Sequence, residues 1–404
     1  GERVLGAAYL PVDGEATSID HDDLQGRVVF LGLAGIIDPP REEAVNTIEA
    51  CRQAGIRVKM ITGDHPDTAA AIGKQLGIGK LGAIEGRIID RMSEEELVET
   101  VKNYDIFART SPENKLQIID ALQKNGETVS MTGDGVNDAP SLKKADIGVA
   151  MGIKGTEVSK DAAKMILADD NFSTIFNAVK EGRRVYDNLR KTILFLLPTN
   201  FCEAILIAGS ILLGFSVILT PVQILWINLI TSITISFGLL YEELEKDALL
   251  RPPRPRHAPL LSKYYMFRIS YVSLIIGGVC IWQVFDLMQQ GLEPALIQTI
   301  VMNSIVFAEM FHLFNCRSEI GPAFSKGFFD NKVAFFVSGL CIVLQLAVTY
   351  LPAFNLTFGT VPMEAQHWLL PVMLGVSVLL IVELEKSLTR YMIEKGVVER
   401  EYQM

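Results

Sequence analysis

The sequence has few cysteines, no basic stripe and no low-complexity segment, and each absence excludes a class of protein. Its 404 residues include five scattered cysteines, which indicate neither a disulfide framework nor a zinc site. The net charge of −10 and the absence of a basic stripe disfavour a nucleic-acid partner. The chain opens with Gly1-Glu2-Arg3, without an initiator Met or a signal peptide, so we expect a fragment of a longer protein.

Long hydrophobic runs fill the second half of the chain, whereas residues 1–190 resemble a soluble protein. Each run is close to the roughly 20 residues that a bilayer-spanning helix requires. Lys and Arg are present in alternate connections only, which is the pattern of the positive-inside rule. We therefore predict six membrane helices with both ends cytoplasmic. The apolar windows are 193–213, 222–240, 267–285, 297–314, 333–351 and 368–384.

Strands and helices alternate in the soluble part, which predicts a parallel, doubly wound sheet with its site at the carboxyl ends of the strands. A helix over 172–192 is predicted to run into the first apolar window as a stiff stalk. Asp38-Pro39-Pro40-Arg41 is typical of a rigid hinge, because the prolines fix φ. The predicted strands are 57–61, 105–109, 128–132 and 147–151, and the predicted helices are 65–76 and 112–123.

Two predicted strand ends have nearly the same triplet, Thr62-Gly63-Asp64 and Thr132-Gly133-Asp134. A Thr-Gly turn presents a hydroxyl and backbone N–H groups to an anion, and an Asp beside it can hold a hard cation. One triplet alone would be read as a tight turn with a helix cap. The second triplet, continued by the polar loop 135–140, favours a phosphate and Mg²⁺ site. Lys115 is a candidate cation for that phosphate, with a solvated surface lysine as the alternative.

Longer segments resemble the phosphorylation domain of P-type ATPases, a branch of the haloacid-dehalogenase fold. They are MITGDHPDTAAAIGKQLGI, FARTSPENK, MTGDGVNDAPSLKKADIGVAMG and GTEVSKDAA. LPTNFCEAI, PVQILWINLIT and RPPRPRHAPLL are similar to the membrane part of bacterial calcium-pump-like cation ATPases. The resemblance implies an α/β haloacid-dehalogenase-like (Rossmann-type) domain and an all-α bundle of six transmembrane helices in a bacterial plasma membrane. The implied domains are the end of a nucleotide-binding domain, a phosphorylation domain, and a stalk with the membrane domain, over 1–37, 38–182 and 183–404.

The same resemblance implies roles in phosphoryl transfer from ATP. Asp134 would ligate Mg²⁺, and Lys115 would neutralise the phosphoryl group that Thr62 and Gly63 contact. Asp38 and Arg41 would lie at the hinge to the nucleotide domain, with Arg41 approaching ATP. The implied catalytic set is Thr62, Gly63, Asp64, Lys115, Asn137 and Asp138.

The family's phosphorylated Asp lies in an Asp-Lys-Thr-Gly-Thr motif, which this sequence does not contain. Its Thr-Gly-Glu actuator loop is also missing. We therefore expect this chain alone to be inactive and to need the rest of the pump: the actuator domain, the nucleotide domain and the first four membrane helices. A split or regulatory subunit remains an alternative. A membrane-anchored phosphatase is disfavoured, because the chain has no Asp-x-Asp nucleophile motif and six helices are excessive for an anchor.

Polar residues within the apolar windows indicate a transport site. An ionisable residue there costs roughly 2.5–3.5 kcal/mol, so Glu203 and Glu309 are functional candidates. The neutral residues could instead form interhelical hydrogen bonds. Oxygen-only ligation suits a hard cation such as Ca²⁺. By resemblance, the candidate cation ligands are Asn200, Glu203, Asn228, Thr231, Ser232 and Glu309.

Ser232 departs from the family pattern, since calcium pumps of the sarcoplasmic-reticulum type have an Asp there. One Ca²⁺ per cycle is therefore our first choice, with Na⁺, K⁺ or H⁺ as alternatives. Pro198 is expected to loosen its helix, and Glu383 to reach the membrane interface. His312 and Cys316, near Glu309, do not converge with the other polar residues, which disfavours a soft-metal site.

Overall fold

The computed structural model describes residues 3–12, 14, 18–36, 39–215, 218–245, 247–256, 258–325 and 327–397. The chain forms two compact units. The first comprises Gly1–Val179 with Leu249–Ala258, and the second comprises Lys180–Ala248 with Pro259–Met404. Asp38, in the predicted hinge, lies outside the described residues.

The first unit contains an antiparallel pair and two parallel three-stranded sheets. In the antiparallel pair, β1 (Arg3–Tyr9) lies against β2 (Val29–Ile36). The parallel sheets have the orders β3-β5-β4 and β6-β7-β8, so parallel pairing is confirmed. Their strands are β3 (Met60–Ile61), β4 (Ala83–Glu85), β5 (Ile106–Ala108), β6 (Ser130–Gly133), β7 (Ile147–Met151) and β8 (Met165–Leu167). The helices are α1 (Glu42–Gln53), α2 (Pro66–Leu76), α3 (Gly86–Ile89), α4 (Glu94–Asn103), α5 (Pro112–Lys124), α6 (Ala139–Lys144) and α7 (Glu157–Ala162).

The central strand β5 is buried along its whole length, as expected for a parallel strand covered on both faces. Two serines end the preceding loops and start helices: Ser93 and Ser111 each form a capping box with the residue three positions later. The strand predicted from residue 57 begins only at Met60. Only Met60 and Ile61 pair with β5, at Ile106 and Phe107.

The segment Leu249–Ala258 packs within the first unit. Arg256 forms an ion pair of 2.9 Å with Asp146. Burial opposes ionisation of this carboxyl group, but hydrogen bonds from the Val129 N–H and from Gln123 outweigh it and lower the pKa of Asp146. Asp146 therefore stays charged and holds this proline-rich segment against the unit.

The second unit is helical, and the described residues include six helical runs that are long and apolar enough to cross a membrane. The run α8 (Phe172–Leu213) is continuous past Pro198, so the predicted helix from 172 into the first window is confirmed. A π-helical segment, Trp226–Ser232, separates α9 from α10. The other helices are α9 (Pro221–Leu225), α10 (Ile233–Leu240), α11 (Lys263–Gln289), α12 (Pro294–Cys316), α13 (Lys332–Tyr350), α14 (Pro352–Phe358) and α15 (Leu369–Glu394).

The basic residues that flank the apolar windows are partly buried in ion pairs. Arg268, only 2% exposed, donates to the Glu385 carboxylate and to the backbone carbonyl of Glu319. Arg317 forms a two-pronged pair with Glu242, at 3.0 and 3.1 Å. A planar guanidinium suits such bidentate pairing, which restricts orientation as well as distance. These contacts fasten the ends of α10, α11, α12 and α15 to one another.

The carboxylate of Glu383 is bound by groups of the protein itself. Its carboxylate pairs with Lys386 at 3.0 Å and accepts a hydrogen bond from the Ala323 N–H. Lys386 is itself fully buried and donates to the carbonyls of Asn315 and Gly321. The reason is that burying this ammonium group requires a nearby carboxylate.

Gly55 permits the close approach of the proline-rich segment. Its φ is +73°, and a Cβ there would lie 2.7 Å from Pro253 Cδ. Gly77 has nearly the same φ, +72°, with open space around it. We expect Gly55→Ala to lower the free energy of unfolding by about 1–3 kcal/mol more than Gly77→Ala, because only the former adds a clash. Thermal unfolding of both variants tests this, and equal losses would contradict it.

Candidate functional site

The loop after β6 is organised around the carboxylate of Asp138. One oxygen accepts hydrogen bonds from the backbone N–H groups of Asp134 and Gly135, at 3.3 and 3.2 Å. The other oxygen lies 2.6 Å from Lys115 Nζ. Lys115 is thus an anchored cation rather than a freely solvated one. The pair also joins the first turn of α5 to the loop, so two of the motifs singled out in the sequence meet here.

Asp134 is held by its backbone while its side chain remains exposed. Its carbonyl accepts hydrogen bonds from the Thr156 N–H at 2.9 Å and from the Ser159 hydroxyl at 3.1 Å. Asn137 is exposed as well. An exposed carboxylate on a fixed backbone beside a carboxamide fits Mg²⁺, which keeps several waters and takes one or two carboxylates. The donor set is therefore compatible with the cation that the sequence predicts.

The other triplet ends β3 and is tied to the end of β5. Its Thr62 hydroxyl lies 2.9 Å from the Asp64 carboxylate and accepts a hydrogen bond from the Asp64 N–H. The Thr62 carbonyl accepts from the Thr110 N–H at 3.2 Å. Gly63 is exposed, with no atom near its missing Cβ. Arg41 is also exposed, immediately before α1.

The carboxylates of the membrane bundle are each held by another helix. Glu203 on α8 accepts a hydrogen bond of 2.5 Å from Asn228. Glu309 on α12 accepts from Ser232 at 2.9 Å and from Thr231 at 3.2 Å. Glu203 and Glu309 are 6% and 1% exposed. The structure therefore brings five of the six predicted cation-site residues into contacting groups.

Asn200 is the exception. Its side chain is exposed, whereas Glu203, three residues later, is buried. Of the described residues, none forms a hydrogen bond with the Asn200 side chain, so the structure does not bring it into the group that contains Glu203. Its assignment rests on the sequence motif alone.

Sequence reasoning missed the π-helical turn Trp226–Ser232, which contains three of the four neutral candidates, Asn228, Thr231 and Ser232. Wide turns of this kind are frequent at functional sites. Within the turn, Asn228 faces Glu203 while Thr231 and Ser232 contact Glu309. The polar residues themselves were a signal of function, but no Gly or Pro in the segment marks the change of helix type.

The close approach of Gly133 to Asp138 provides a test of the loop. A Cβ at Gly133 would lie 2.5 Å from Asp138 Cβ, whereas one at Gly63 would meet nothing within 4 Å. We expect Gly133→Ala to displace Asp138 and to speed hydrogen exchange of the Asp134 and Gly135 amides, while Gly63→Ala leaves that exchange unchanged. Exchange measured by mass spectrometry tests this, and full protection in Gly133→Ala would contradict it.

Comparison with known proteins matches both units. Residues 7–146 match the haloacid dehalogenase-like hydrolase family, and residues 216–388 match the family described as cation transporting ATPase, C-terminus. Among curated relatives, the cation-transporting ATPase pma1 of Synechocystis is 42% identical over 91% of this chain and 42% of its own length. The calcium-transporting ATPase of Bacillus subtilis is 41% identical over 92% of this chain and 42% of its own.

The calcium-transporting ATPase 1 of Bacillus cereus is 40% identical over 95% of this chain and 45% of its own length. This chain thus spans less than half the length of the curated relatives that it matches. The α/β unit, the six helices able to span a membrane and these matches agree. The chain belongs with the P-type cation-transporting ATPases as an integral membrane protein.

Proposed function

We propose that this chain is the carboxyl-terminal part of an ATP-driven pump that exports Ca²⁺ through an aspartyl-phosphate cycle. The observation that carries the proposal is the pair of buried carboxylates, Glu203 and Glu309, held by hydroxyl and amide groups inside an apolar bundle. Such groups are costly in a membrane, and cation transport gives a reason for them. The calcium-transporting names of two relatives support the choice of ion.

The proposed phosphoryl site consists of the two Thr-Gly-Asp triplets with Lys115 and Asp138. Asp134 and Asn137 would hold Mg²⁺, which supplies charge neutralisation to the phosphoryl group. Lys115 would add a positive charge at a position that Asp138 fixes, at 2.6 Å. Phosphoryl transfer depends mainly on such positioning and charge stabilisation. In the complete pump, Arg41 and the hinge residue Asp38 would lie towards bound ATP, and the soluble part would be cytoplasmic.

For the ion, we propose one Ca²⁺ per cycle. Ser232 occupies the position where a third carboxylate would be needed for a second divalent ion. The two remaining carboxylates balance the charge of one Ca²⁺. Of the Glu203 oxygens, Oε1 is buried and has no partner among the described residues, so it remains available as a ligand. Burial disfavours the charged carboxylates when no cation is bound, so H⁺ would return as Ca²⁺ leaves.

The hydroxyl groups beside Glu309 favour a second candidate, a pump for Na⁺, K⁺ or H⁺. Ser232 and Thr231 offer neutral oxygens, which suit a cation of lower charge. A split or regulatory subunit, active only beside a partner, is the further alternative. The ion that stimulates ATP hydrolysis by the complete protein distinguishes the first two, and the mass of the native protein distinguishes the third.

The role of Asp134 is tested by phosphorylation of the complete protein with γ-labelled ATP. We expect Asp134→Asn to abolish or greatly slow phosphoenzyme formation, because the variant loses the charge beside Mg²⁺. Asp161→Asn, an exposed aspartate on α7, is the matched control and should label normally. Normal labelling of Asp134→Asn at limiting Mg²⁺ would remove Asp134 from this role.

The ion stoichiometry is tested by equilibrium ⁴⁵Ca²⁺ binding to the complete protein. We expect one Ca²⁺ per phosphorylation site, none in Glu203→Gln, and a second Ca²⁺ in Ser232→Asp. Glu293→Gln, an exposed residue at the start of α12, should bind as the unmodified protein does. Two Ca²⁺ in the unmodified protein, or turnover stimulated by Na⁺ without a Ca²⁺ response, would overturn the proposal.

A further inference from the structure

Pro198 leaves a carbonyl oxygen in α8 without its helical donor. In an α-helix the N–H of residue 198 would donate to the carbonyl of residue 194, but proline has no N–H. Leu194 is 2% exposed and lies in the apolar core of the bundle. A buried carbonyl without a partner is costly, above all among apolar helices. The oxygen of Leu194 therefore needs a donor from elsewhere.

The structure places a histidine from another helix at that oxygen. His312 of α12 is fully buried, and its Nε2 lies 3.4 Å from the Leu194 carbonyl oxygen. Its ring stacks on Phe195, with centroids 6.5 Å apart and planes 24° apart. The neighbouring Thr199 hydroxyl is committed to a different carbonyl, that of Leu196, at 2.8 Å. His312 thus supplies the hydrogen bond that Pro198 removes.

The carbonyl also selects the tautomer of His312. A carbonyl oxygen only accepts, so the proton must be on Nε2, and Nδ1 then has only a lone pair. The assignment is consistent with the surroundings of Nδ1, which has no hydrogen-bond partner among the residues that the structure describes. Cys316 Sγ lies 3.4 Å from the same Nε2 and is at most a weak second partner.

We propose that His312 is a positioning residue that ties the turn of α8 before Pro198 to α12. Pro198 lies five residues before Glu203 on α8, and His312 lies one turn after Glu309 on α12. A bond between these points restricts how far the two carboxylates can separate. Without it, the arrangement that binds the cation is less populated, and the apparent affinity falls in proportion. The link to cation binding rests on the function proposed above.

A double-mutant cycle in the complete protein tests the inference, because Pro198→Ala returns an N–H to the Leu194 carbonyl. His312→Phe keeps the stacking on Phe195 but removes the donor. We expect it to weaken Ca²⁺ activation of phosphorylation roughly tenfold, the effect of leaving one buried acceptor unpaired. In the Pro198→Ala background the same change should have less than a twofold effect. His312→Gln, which retains a donor, should bind Ca²⁺ more tightly than His312→Phe.

The matched control is Asn315→Leu on the same helix, since Asn315 donates to the Val378 carbonyl of α15 instead. Its effect should be the same with and without Pro198→Ala. The midpoint of thermal unfolding without Ca²⁺ is also measured for the same variants. This second measurement gives the coupling between the two positions even if the pump does not respond to Ca²⁺. If the single variant His312→Phe fails to fold but the double variant with Pro198→Ala folds, that result would also support the inference. Additive effects of the His312 and Pro198 changes in both measurements would overturn it.

Discussion

The burial of two carboxylates among apolar helices is the constraint on which the second unit depends. A carboxylate removed from water costs several kcal/mol unless donors surround it. Glu203 and Glu309 take those donors from other helices: Asn228 serves the first, and Thr231 and Ser232 serve the second. None of the donors is charged. These bonds form only when α8, α12 and the segment Trp226–Ser232 keep one register relative to one another. Because the donors are neutral, a bound cation can still supply positive charge to the two carboxylates.

The π-helical turn and the proline within α8 both leave the regular α-helical hydrogen-bond pattern close to the buried carboxylates. Residues Trp226–Ser232 direct polar side chains to both α8 and α12. Pro198 removes one backbone donor from α8 just before Glu203, and His312 of α12 lies at the carbonyl oxygen that is left without it. Local irregularity is tolerated at membrane depth only where other groups satisfy the freed backbone. The second unit therefore combines ion pairs at the helix ends with irregular backbone, satisfied by other groups, in its middle.

Local features of the two units were predictable from the sequence, whereas contacts between packed elements were not. Hydrophobic run length predicted the six helices, and short apolar runs predicted strands that end within one residue of the observed ends of β3 and β6, because both signals are local. That Lys115 pairs with Asp138 was not predicted, since the contact depends on how two elements pack. The burial of Lys386 was missed for the same reason: a basic residue after an apolar run is read as exposed, and only the bundle supplies its carboxylate.

The soluble and the membrane sites divide their carboxylates in the same way. Both oxygens of Asp138 are occupied by the protein, and so are both oxygens of Glu309. Asp134 is exposed, and one oxygen of Glu203 has no partner in the described ranges. A carboxylate with a partner on each oxygen is held in position, and it still keeps lone pairs for a ligand. At each site, one acid is thus held by the protein at both oxygens, while the other has an oxygen that the protein leaves open. The backbone of Asp134 and the side chain of Glu203 are already fixed by hydrogen bonds. A cation could therefore bind these carboxylates without a large local rearrangement.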